Sequence, residues 1–257
     1  MIHHKYTILE KIGSGSFGSI YKGQNIRTKE YVAIKAEPMS SELKLLLNET
    51  KVYNYLAGCT GIPTLKWFGK DNTHYYMVIN LLGQSLQSLM QQHGKFSLDF
   101  LLKIGIQIVL LLKTIHGKGI VHRDIKPDNF LFKEDSLYLI DFGLCKPYMD
   151  GNHVHIPMKK TSNVIGSMNF CSLSSHNRQE LGRKDDFESL GYMLLYFYSG
   201  CLPWSNDTLE ETIVSKKRNV IHQKETWPSV LLDYMTHVRN MTFHEEPNYF
   251  YIIQQFQ

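Results

Sequence analysis

Cysteine is scarce in this sequence. Of the 257 residues, only Cys59, Cys145, Cys171 and Cys201 are cysteines, and no two of them form a C-x-x-C pair. Such scattered thiols argue against a disulfide framework and against a structural zinc site. They are typical of proteins in a reducing compartment, so we expect a cytoplasmic or nuclear protein.

Long hydrophobic runs are also missing. The longest candidate, IGIQIVLLLKTI, is interrupted by Gln107 and Lys113. It is too short for a membrane span, so we predict a buried helix there and no membrane partner. The first residues, MIHHKYTILEKIG, are too polar for a signal peptide. We also expect the chain to end at its last core helix, PNYFYIIQQFQ, without a tail.

Neither sign of charge is in large excess. The sequence has 28 Lys and Arg against 24 Asp and Glu, which gives a formal net charge of +4. This small positive excess does not by itself indicate nucleic-acid binding, although it is suited to binding acidic peptides. A hydrophobic content of 43% is enough for one large or two modest cores. We expect a monomer that binds protein substrates and no nucleic acid.

A dense polar motif, HRDIKPDNFLFKEDSLYLIDFG, lies near the middle of the chain. Phosphoryl transfer from ATP depends mostly on positioning and on neutralising charge. Asp124 can accept the proton of an attacking hydroxyl, and Lys126 can neutralise the migrating phosphoryl group. Asn129 and Asp141 offer the hard oxygen ligands that Mg²⁺ prefers. HRD, a spaced Asn and DFG in this order are typical of protein kinases, so ATP and Mg²⁺ are the predicted cofactors.

A glycine-rich string, IGSGSFGSI, runs from Ile12 to Ile20. On its own, this string also fits a plain hairpin or a dinucleotide-binding turn. Strand-like sequence on both sides favours a hairpin over the strand-to-helix turn of a dinucleotide site. Because the backbone amides of such a hairpin can lie over phosphates, the string predicts a nucleotide-binding loop.

Lys35 lies in the strand-like segment VAIK and is expected to be half buried. A buried lysine needs a partner. The following segment, MSSELKLLLNETKVYNYL, shows helical spacing and carries two candidates, Glu42 and Glu49. Glu42 lies nearer the helix start and could equally serve as a first-turn acid. The choice of Glu49 rests on the family resemblance given below.

The order of the predicted elements indicates an α+β fold with two lobes. Residues 1–82 are strand-rich, and we predict a small lobe with a five-stranded antiparallel sheet, one helix and the hinge. Residues 83–257 are predicted to form a larger, mainly helical lobe. The connector NLLG is short, so a nucleotide-binding cleft between the lobes is expected. The predicted helices span 40–57, 84–92, 97–117, 186–200, 208–218 and 228–240.

These motifs resemble a protein kinase of the casein kinase 1 family over essentially the whole chain. LLGQSLQSL resembles that family's LLG-x-SL element, and RKDDFESLGY resembles its DDLESLGY segment. The usual APE motif is missing, and CSLS stands close to the family's Ser-Ile-Asn. The stretch GSMNFCSLSSHN also leans toward the sister group, the vaccinia-related kinases, but that group typically alters HRD, which this chain keeps.

The resemblance implies the bilobal protein kinase fold and an ATP-dependent serine/threonine kinase that acts on acidic proteins. In that family, Lys35 would hold the α- and β-phosphates and pair with Glu49, while Asp124 and Lys126 would be catalytic. Asn129 and Asp141 would bind Mg²⁺. The residues that the resemblance places around ATP are Ile12, Gly13, Ser14, Gly15, Ser16, Phe17, Gly18, Ser19, Ile20, Ala33, Lys35, Ile79, Leu82, Leu131, Ile140 and Asp141.

The resemblance also implies finer roles. Ile79 would be the gatekeeper, the backbone of Leu82 would bond the adenine edge, and Ala33, Leu131 and Ile140 would sandwich the ring, although an ordinary apolar core role fits these three residue types equally. Asp186 with Gly191 would anchor the central helix of the larger lobe to the catalytic loop, the stretch from HRD to Asn129.

Two departures from the family pattern concern substrate choice. Asn169 stands where the family usually has the arginine of GTARY, and Asn219 falls approximately on a basic position of its KRQKY stretch. Both basic residues belong to a pocket that reads a phosphate already present on the substrate. Lys217 and Arg218 are candidates to compensate in part. The pattern therefore predicts weak reading of phosphorylated sites.

The alternative to an active kinase is an inactive scaffold with the same fold. It is disfavoured because Lys35, Glu49, Asp124, Asn129 and Asp141 are all present, although fold alone never proves function. A small-molecule kinase is disfavoured by the full glycine-rich loop and the DDFESLGY segment. No Ser or Thr between DFG and CSLS stands out as a phosphorylation site, with Thr161 and Ser162 as the candidates, so we expect activity without loop phosphorylation.

Overall fold

The computed structural model of the chain describes residues 2, 4–15, 18–41 and 44–257. The chain forms two compact units, which we call the sheet unit (Met1–Gly83 with Leu131–Gly143) and the helical unit (Gln84–Phe130 with Leu144–Gln257). The predicted α+β class, with a five-stranded antiparallel sheet and a mainly helical remainder, is confirmed.

The regular elements follow in chain order. The strands are β1 Tyr6–Gly15, β2 Gly18–Asn25, β3 Tyr31–Pro38, β4 Leu65–Lys70, β5 His74–Asn80, β6 Ile120–Val121, β7 Phe130–Lys133, β8 Ser136–Leu139 and β9 Lys146–Pro147. The helices are α1 Leu45–Tyr55, α2 Leu86–His93, α3 Leu98–Gly117, α4 Leu173–His176, α5 Arg183–Ser199, α6 Glu210–Asn219, α7 Ser229–Asn240 and α8 Tyr249–Phe256. No described helix is both long enough and apolar enough to cross a bilayer.

The large sheet has the strand order β1-β2-β3-β5-β4, and every neighbouring pair is antiparallel. Side chains alternate between its faces, as a strand requires. Val32, Ile34 and Ala36 of β3 are buried in the core of the sheet unit. Ala33 and Lys35 therefore lie on the opposite face, where both are only partly buried. This alternation brings Lys35 to the functional face of the sheet.

Helix α1 begins at Leu45, later than the sequence predicted, and a carboxylate from β3 binds its first turn. The two carboxylate oxygens of buried Glu37 accept hydrogen bonds of 3.2 Å from the backbone N–H groups of Leu45 and Leu46. These N–H groups have no partner within the helix, and a negative charge is favourable at this end. The buried stripe of α1 is Leu46, Glu49, Thr50 and Tyr53.

The helical unit is built around α5, most of whose residues are buried. A helix that is buried all round belongs at the centre of a core. Its neighbours α3 and α7 pack against it. At Gly191 a Cβ atom would lie 2.0 Å from the sulfur of Met235, so this glycine permits close packing of α5 on α7. Gly191 therefore packs against a helix rather than against the catalytic loop.

Candidate active site

The sheet unit holds a cluster of Lys35, Glu49 and Asp141, which we call the lysine cluster. Lys35 Nζ lies 2.7 Å from Glu49 Oε2 and 2.9 Å from Asp141 Oδ1. Strand β3 and helix α1 position the first two residues. Asp141 follows the β7–β8 hairpin with a backbone φ of +65°. Glu49 is thus the partner of Lys35, while the alternative, Glu42, lies outside the described residues.

The charges of the lysine cluster are strongly coupled. Burial by itself would lower the pKa of Lys35, but attraction to Glu49 and Asp141 outweighs it and raises that pKa above its ordinary value. Burial raises the pKa of Glu49 to about 7, against the opposing effect of Lys35. The ammonium is therefore firmly charged and available to bind phosphate oxygens.

The glycine-rich string forms the predicted hairpin. Strands β1 and β2 pair down to Ser14 opposite Ser19 and Gly15 opposite Gly18. A Cβ at Gly18 would lie only 2.1 Å from the carbonyl oxygen of Ala36, so the close approach of β2 to β3 requires glycine there. Ser16 and Phe17, also predicted to contact ATP, lie outside the described residues.

The apolar residues predicted around the adenine ring all belong to the sheet unit. Ala33 pairs directly with Ile79 across β3 and β5. Leu82 follows β5 and precedes Gly83, whose N–H donates to the carbonyl of Phe132 at 2.7 Å. Leu131 and Ile140, in and just after the β7–β8 hairpin, are partly buried, whereas Ile12 of β1 is 48% exposed.

The helical unit holds a second cluster around Asp124, which we call the base cluster. Asp124 Oδ2 lies 2.6 Å from Lys126 Nζ. Its other oxygen, Oδ1, accepts hydrogen bonds from the backbone N–H of Ser167 at 3.0 Å and from the Ser167 hydroxyl at 2.8 Å. The carboxylate is only 8% exposed and both oxygens are oriented. The orientation of the Asp124 carboxylate is therefore fixed from both sides.

Asn129 is part of the same cluster. It ends a short 3₁₀ turn, Pro127–Asn129, and its Nδ2 donates to the carbonyl of Asp124 at 2.9 Å. Because the amide nitrogen is used in this bond, Oδ1 remains as the acceptor that can face a cation. A neutral oxygen ligand of this kind fits Mg²⁺.

The backbone of the catalytic loop is anchored by Asp186 at the start of α5. Its carboxylate accepts hydrogen bonds of 2.8 Å from the N–H groups of His122 and Arg123, and His116 Nε2 lies 2.9 Å away. Burial would raise the pKa of Asp186, but His116, His122 and the backbone bond lower it overall. Arg123 has a φ of +70°, and this strained backbone is stabilised by the bonds to Asp186.

A family model, the protein kinase domain, matches residues 6–248. The chain belongs to the protein kinase family. Kinases transfer the γ-phosphate of ATP to a hydroxyl, mainly by positioning and by neutralising charge. The lysine and base clusters contain the residue types that this chemistry uses.

In this kinase the arginine of HRD is close to an internal anion. Glu180 has a side chain that is only 1% exposed; its oxygens lie 2.6 Å from Lys146 Nζ, 3.7 Å from Lys159 Nζ and 3.8 Å from Arg123. Burial acts to raise the pKa of Glu180, but these cations together lower it. We call these four residues the Glu180 cluster. Through Glu180 the cluster connects Arg123 of the catalytic loop to Lys146 of β9 and to Lys159, which follows β9 in the chain.

Three residues of the kinase site were not identified from sequence. Ser167 holds Asp124, Glu37 binds the N-terminus of α1, and Glu180 neutralises Arg123. Glu37 lies two residues after VAIK and just ahead of the predicted helix start, so its role could have been predicted from the sequence. Ser167 and Glu180 lie far from their partners in sequence, and no spacing rule connects them.

The two basic residues proposed to compensate for Asn169 and Asn219, Lys217 and Arg218, differ in their exposure to solvent. The side chain of Lys217 is fully buried and bonds backbone carbonyls, so it cannot bind a substrate anion and that expectation was wrong. Arg218 is exposed and lines a cavity of about 590 Å³ together with Arg178, Glu210 and Asn219. Arg178 is already paired with Glu210 at 2.8 Å. Arg218 therefore remains as the candidate for binding an acidic substrate.

Proposed function

We propose that this chain is a magnesium-dependent serine/threonine kinase of the casein kinase 1 type that phosphorylates acidic proteins. The observation that carries the proposal is the fixed orientation of the Asp124 carboxylate. Its carboxylate is held by Lys126 on one oxygen and by Ser167 on the other. Such fixed geometry is what a general base for a hydroxyl requires.

The base cluster supplies the transfer step. Asp124 accepts the proton of the attacking serine or threonine hydroxyl as the new bond to the γ-phosphorus forms and the bond from that phosphorus to the leaving ADP breaks. The Ser167 hydroxyl donates a hydrogen bond of 2.8 Å to Asp124 Oδ1 and so orients the carboxylate. Lys126 neutralises the charge that develops on the phosphoryl oxygens.

The lysine cluster supplies the phosphate contacts. Lys35 binds phosphate oxygens of ATP, and Glu49 keeps its ammonium in place. Asn129 and Asp141 would hold Mg²⁺, which neutralises phosphate charge when bound. Both residues offer the oxygen atoms that a hard cation prefers. Backbone N–H groups of the hairpin between β1 and β2 would bind the phosphates.

The Glu180 cluster supports activity without phosphorylation of the activation segment. In many kinases a phosphate on that segment pairs with arginine and orders the loop. Glu180 supplies a buried negative charge at Arg123, Lys146 and Lys159 in this chain. We therefore expect the catalytic loop to be ordered in the unmodified protein.

The test is phosphate transfer from labelled ATP to casein and to an array of acidic, neutral and phosphorylated peptides, followed by phosphoamino-acid analysis. We expect label on serine and threonine, with acidic peptides favoured. Label on tyrosine alone, or labelling of small sugars rather than proteins, would contradict the proposal. A protein that binds ATP but transfers no phosphate would instead be an inactive scaffold.

A further inference from the structure

Lys217 on α6 is fully buried, although lysine is almost never buried without an ion partner. Within the described part of the chain, no carboxylate forms an ion pair with its ammonium. Its hydrogen-bond partners are backbone carbonyls and an imidazole. An uncompensated buried ammonium costs free energy, so hydrophobic packing alone does not account for a lysine at this position.

Each proton of this ammonium has its own acceptor. Lys217 Nζ lies 2.8 Å from the carbonyl oxygen of Met168, 2.7 Å from that of Cys171 and 3.1 Å from His176 Nε2. His176 Nδ1 lies 3.0 Å from Glu210 Oε1 and donates its proton there, so Nε2 is the acceptor. Burial and the Lys217 charge also lower the pKa of His176, which keeps the ring neutral.

The carbonyls that Lys217 binds belong to one short piece of chain, Ser167–Cys171, which we call the 167–171 segment. Trp204 Nε1 binds a third carbonyl, that of Asn169, at 2.9 Å. At its other end, Ser167 donates two hydrogen bonds to Asp124 Oδ1. One segment thus connects the buried ammonium to the catalytic base.

Aromatic rings and titratable side chains surround the Lys217 ammonium. Its Nζ lies 4.8 Å from the centre of the Tyr192 ring and 5.7 Å from that of Trp204. The titratable or charged groups that face it are Cys171, His176, Glu188, Tyr192 and Arg239. Burial lowers the pKa of Lys217 to about 8; Cys171 and Glu188 oppose this shift, and Arg239 adds to it.

We propose that Lys217 is a positioning residue for phosphoryl transfer: its ammonium fixes the 167–171 segment, and that segment fixes Asp124. The proposal rests on the proposed transferase function. Loss of the ammonium frees two carbonyls of the segment, so Ser167 moves relative to Asp124. Lys217 contacts no residue of the lysine cluster among its described partners, so nucleotide affinity should not change.

The test compares Lys217→Met with Lys216→Met. Lys216 is the neighbouring lysine on α6, but it is 43% exposed and pairs with Asp207 at 2.8 Å. We expect Lys217→Met to lower kcat about 10- to 100-fold, as small misplacements of catalytic groups do, with the KM for ATP within about twofold. Lys216→Met should match the wild type. Equal kcat values in the two variants would overturn the proposal.

The pH dependence separates a charged positioning group from simple packing. Wild-type kcat should fall as the pH rises through about 8, because the ammonium loses a proton there. Lys217→Arg, which stays charged, should keep its activity to higher pH. A wild-type profile that stays flat to about pH 11, above the ordinary pKa of lysine, would overturn the proposal. This measurement decides the question even if Lys217→Met does not fold.

Hydrogen exchange gives a readout that does not depend on activity. The N–H groups of Phe170 and Cys171 bond the carbonyl of Ser167 at 2.9 and 2.7 Å. Their exchange should be at least about tenfold faster in Lys217→Met than in Lys216→Met. If the wild type transfers no phosphate, the proposed function fails, but hydrogen exchange still tests whether Lys217 fixes the 167–171 segment. Unchanged exchange in Lys217→Met would show that it does not and would overturn the proposal.

Discussion

The lysine cluster and the base cluster both place a lysine beside a carboxylate, but they are built differently. Lys35 and Glu49 come from a strand and a helix, and the end of that helix is bound by Glu37. Asp124 and Lys126 are two residues apart in a loop, and their geometry depends on Ser167, 43 residues away. Secondary structure thus positions Lys35 and Glu49, whereas Asp124 depends on a long-range contact to a loop residue.

This difference predicts how each cluster responds to change. The lysine cluster should be sensitive to its own charges, because its backbone is held by a sheet and a helix. The base cluster should also be sensitive to distant residues such as Lys217 and Glu180, because loops have no hydrogen-bond ladder of their own. The predictions below test this contrast.

The largest effect is expected at Asp124. Asp124→Asn should lower kcat about 10²- to 10⁴-fold, which is the usual contribution of a positioned general base. Nucleotide affinity should stay within about twofold, because the base acts on the hydroxyl. The measurements are phosphate transfer from labelled ATP and binding of a fluorescent nucleotide. Asp128→Asn is the matched control, since Asp128 is exposed in the same turn. A turnover within about threefold of the wild type would exclude Asp124 as the base.

Lys35→Met should lower kcat/KM for ATP about 10²-fold, since one preorganised charge contact is removed. The protein should still fold, because Glu49 can take up a proton: burial already raises its pKa to about 7. A carboxyl whose pKa is raised on folding stabilises the fold at low pH and loses that contribution as the pH rises.

The unfolding midpoint of Lys35→Met should therefore fall as the pH rises from about 5 to 8. Thermal unfolding at several pH values measures this, and Lys35→Met with Glu49→Gln is the control in which the slope should disappear. A variant that unfolds at all pH values yet stays fully active in its folded fraction would contradict the assignment.

A smaller effect is expected at the Glu180 cluster. Glu180→Gln should lower kcat about tenfold, because the charge-assisted bond to Lys146 and the attraction of Arg123 are lost. The exposed Glu225→Gln is the control for this substitution.

Phosphatase treatment of the wild type should leave activity within about twofold. A large loss on dephosphorylation, restored by incubation with ATP, would show that loop phosphorylation is the switch.

The smallest effect concerns substrate choice. With asparagine at positions 169 and 219, we expect primed and acidic peptides to react within about threefold of each other, because neutral partners bind phosphate more weakly than charged ones. Both rates should fall as salt rises.

Arg218→Gln should weaken the preference for acidic peptides about two- to threefold, which is the usual size of an effect at an exposed charge. Asn169→Arg should restore some preference for primed peptides. A hundredfold wild-type preference for primed peptides would point to a different pocket.

Much of this kinase could be predicted from its sequence, because the decisive signals are local. HRD, the spaced asparagine, DFG and the glycine-rich string are short, and hydrophobic spacing predicts α3 and the buried α5 within a few residues of their observed bounds. Alternation in VAIK placed Lys35 opposite the core side of β3. Neighbouring residues in the chain carry all of this information.

Tertiary structure decided what joins distant parts of the chain. The burial of Lys217 within a run of basic residues, the bond from Ser167 to Asp124 and the approach of Glu180 to Arg123 depend on which loops meet after folding. The same holds for the grouping of Leu131–Gly143 with the sheet. A residue type gives its chemistry, but burial and long-range hydrogen bonding decide whether that chemistry faces a substrate or supports the residue that does.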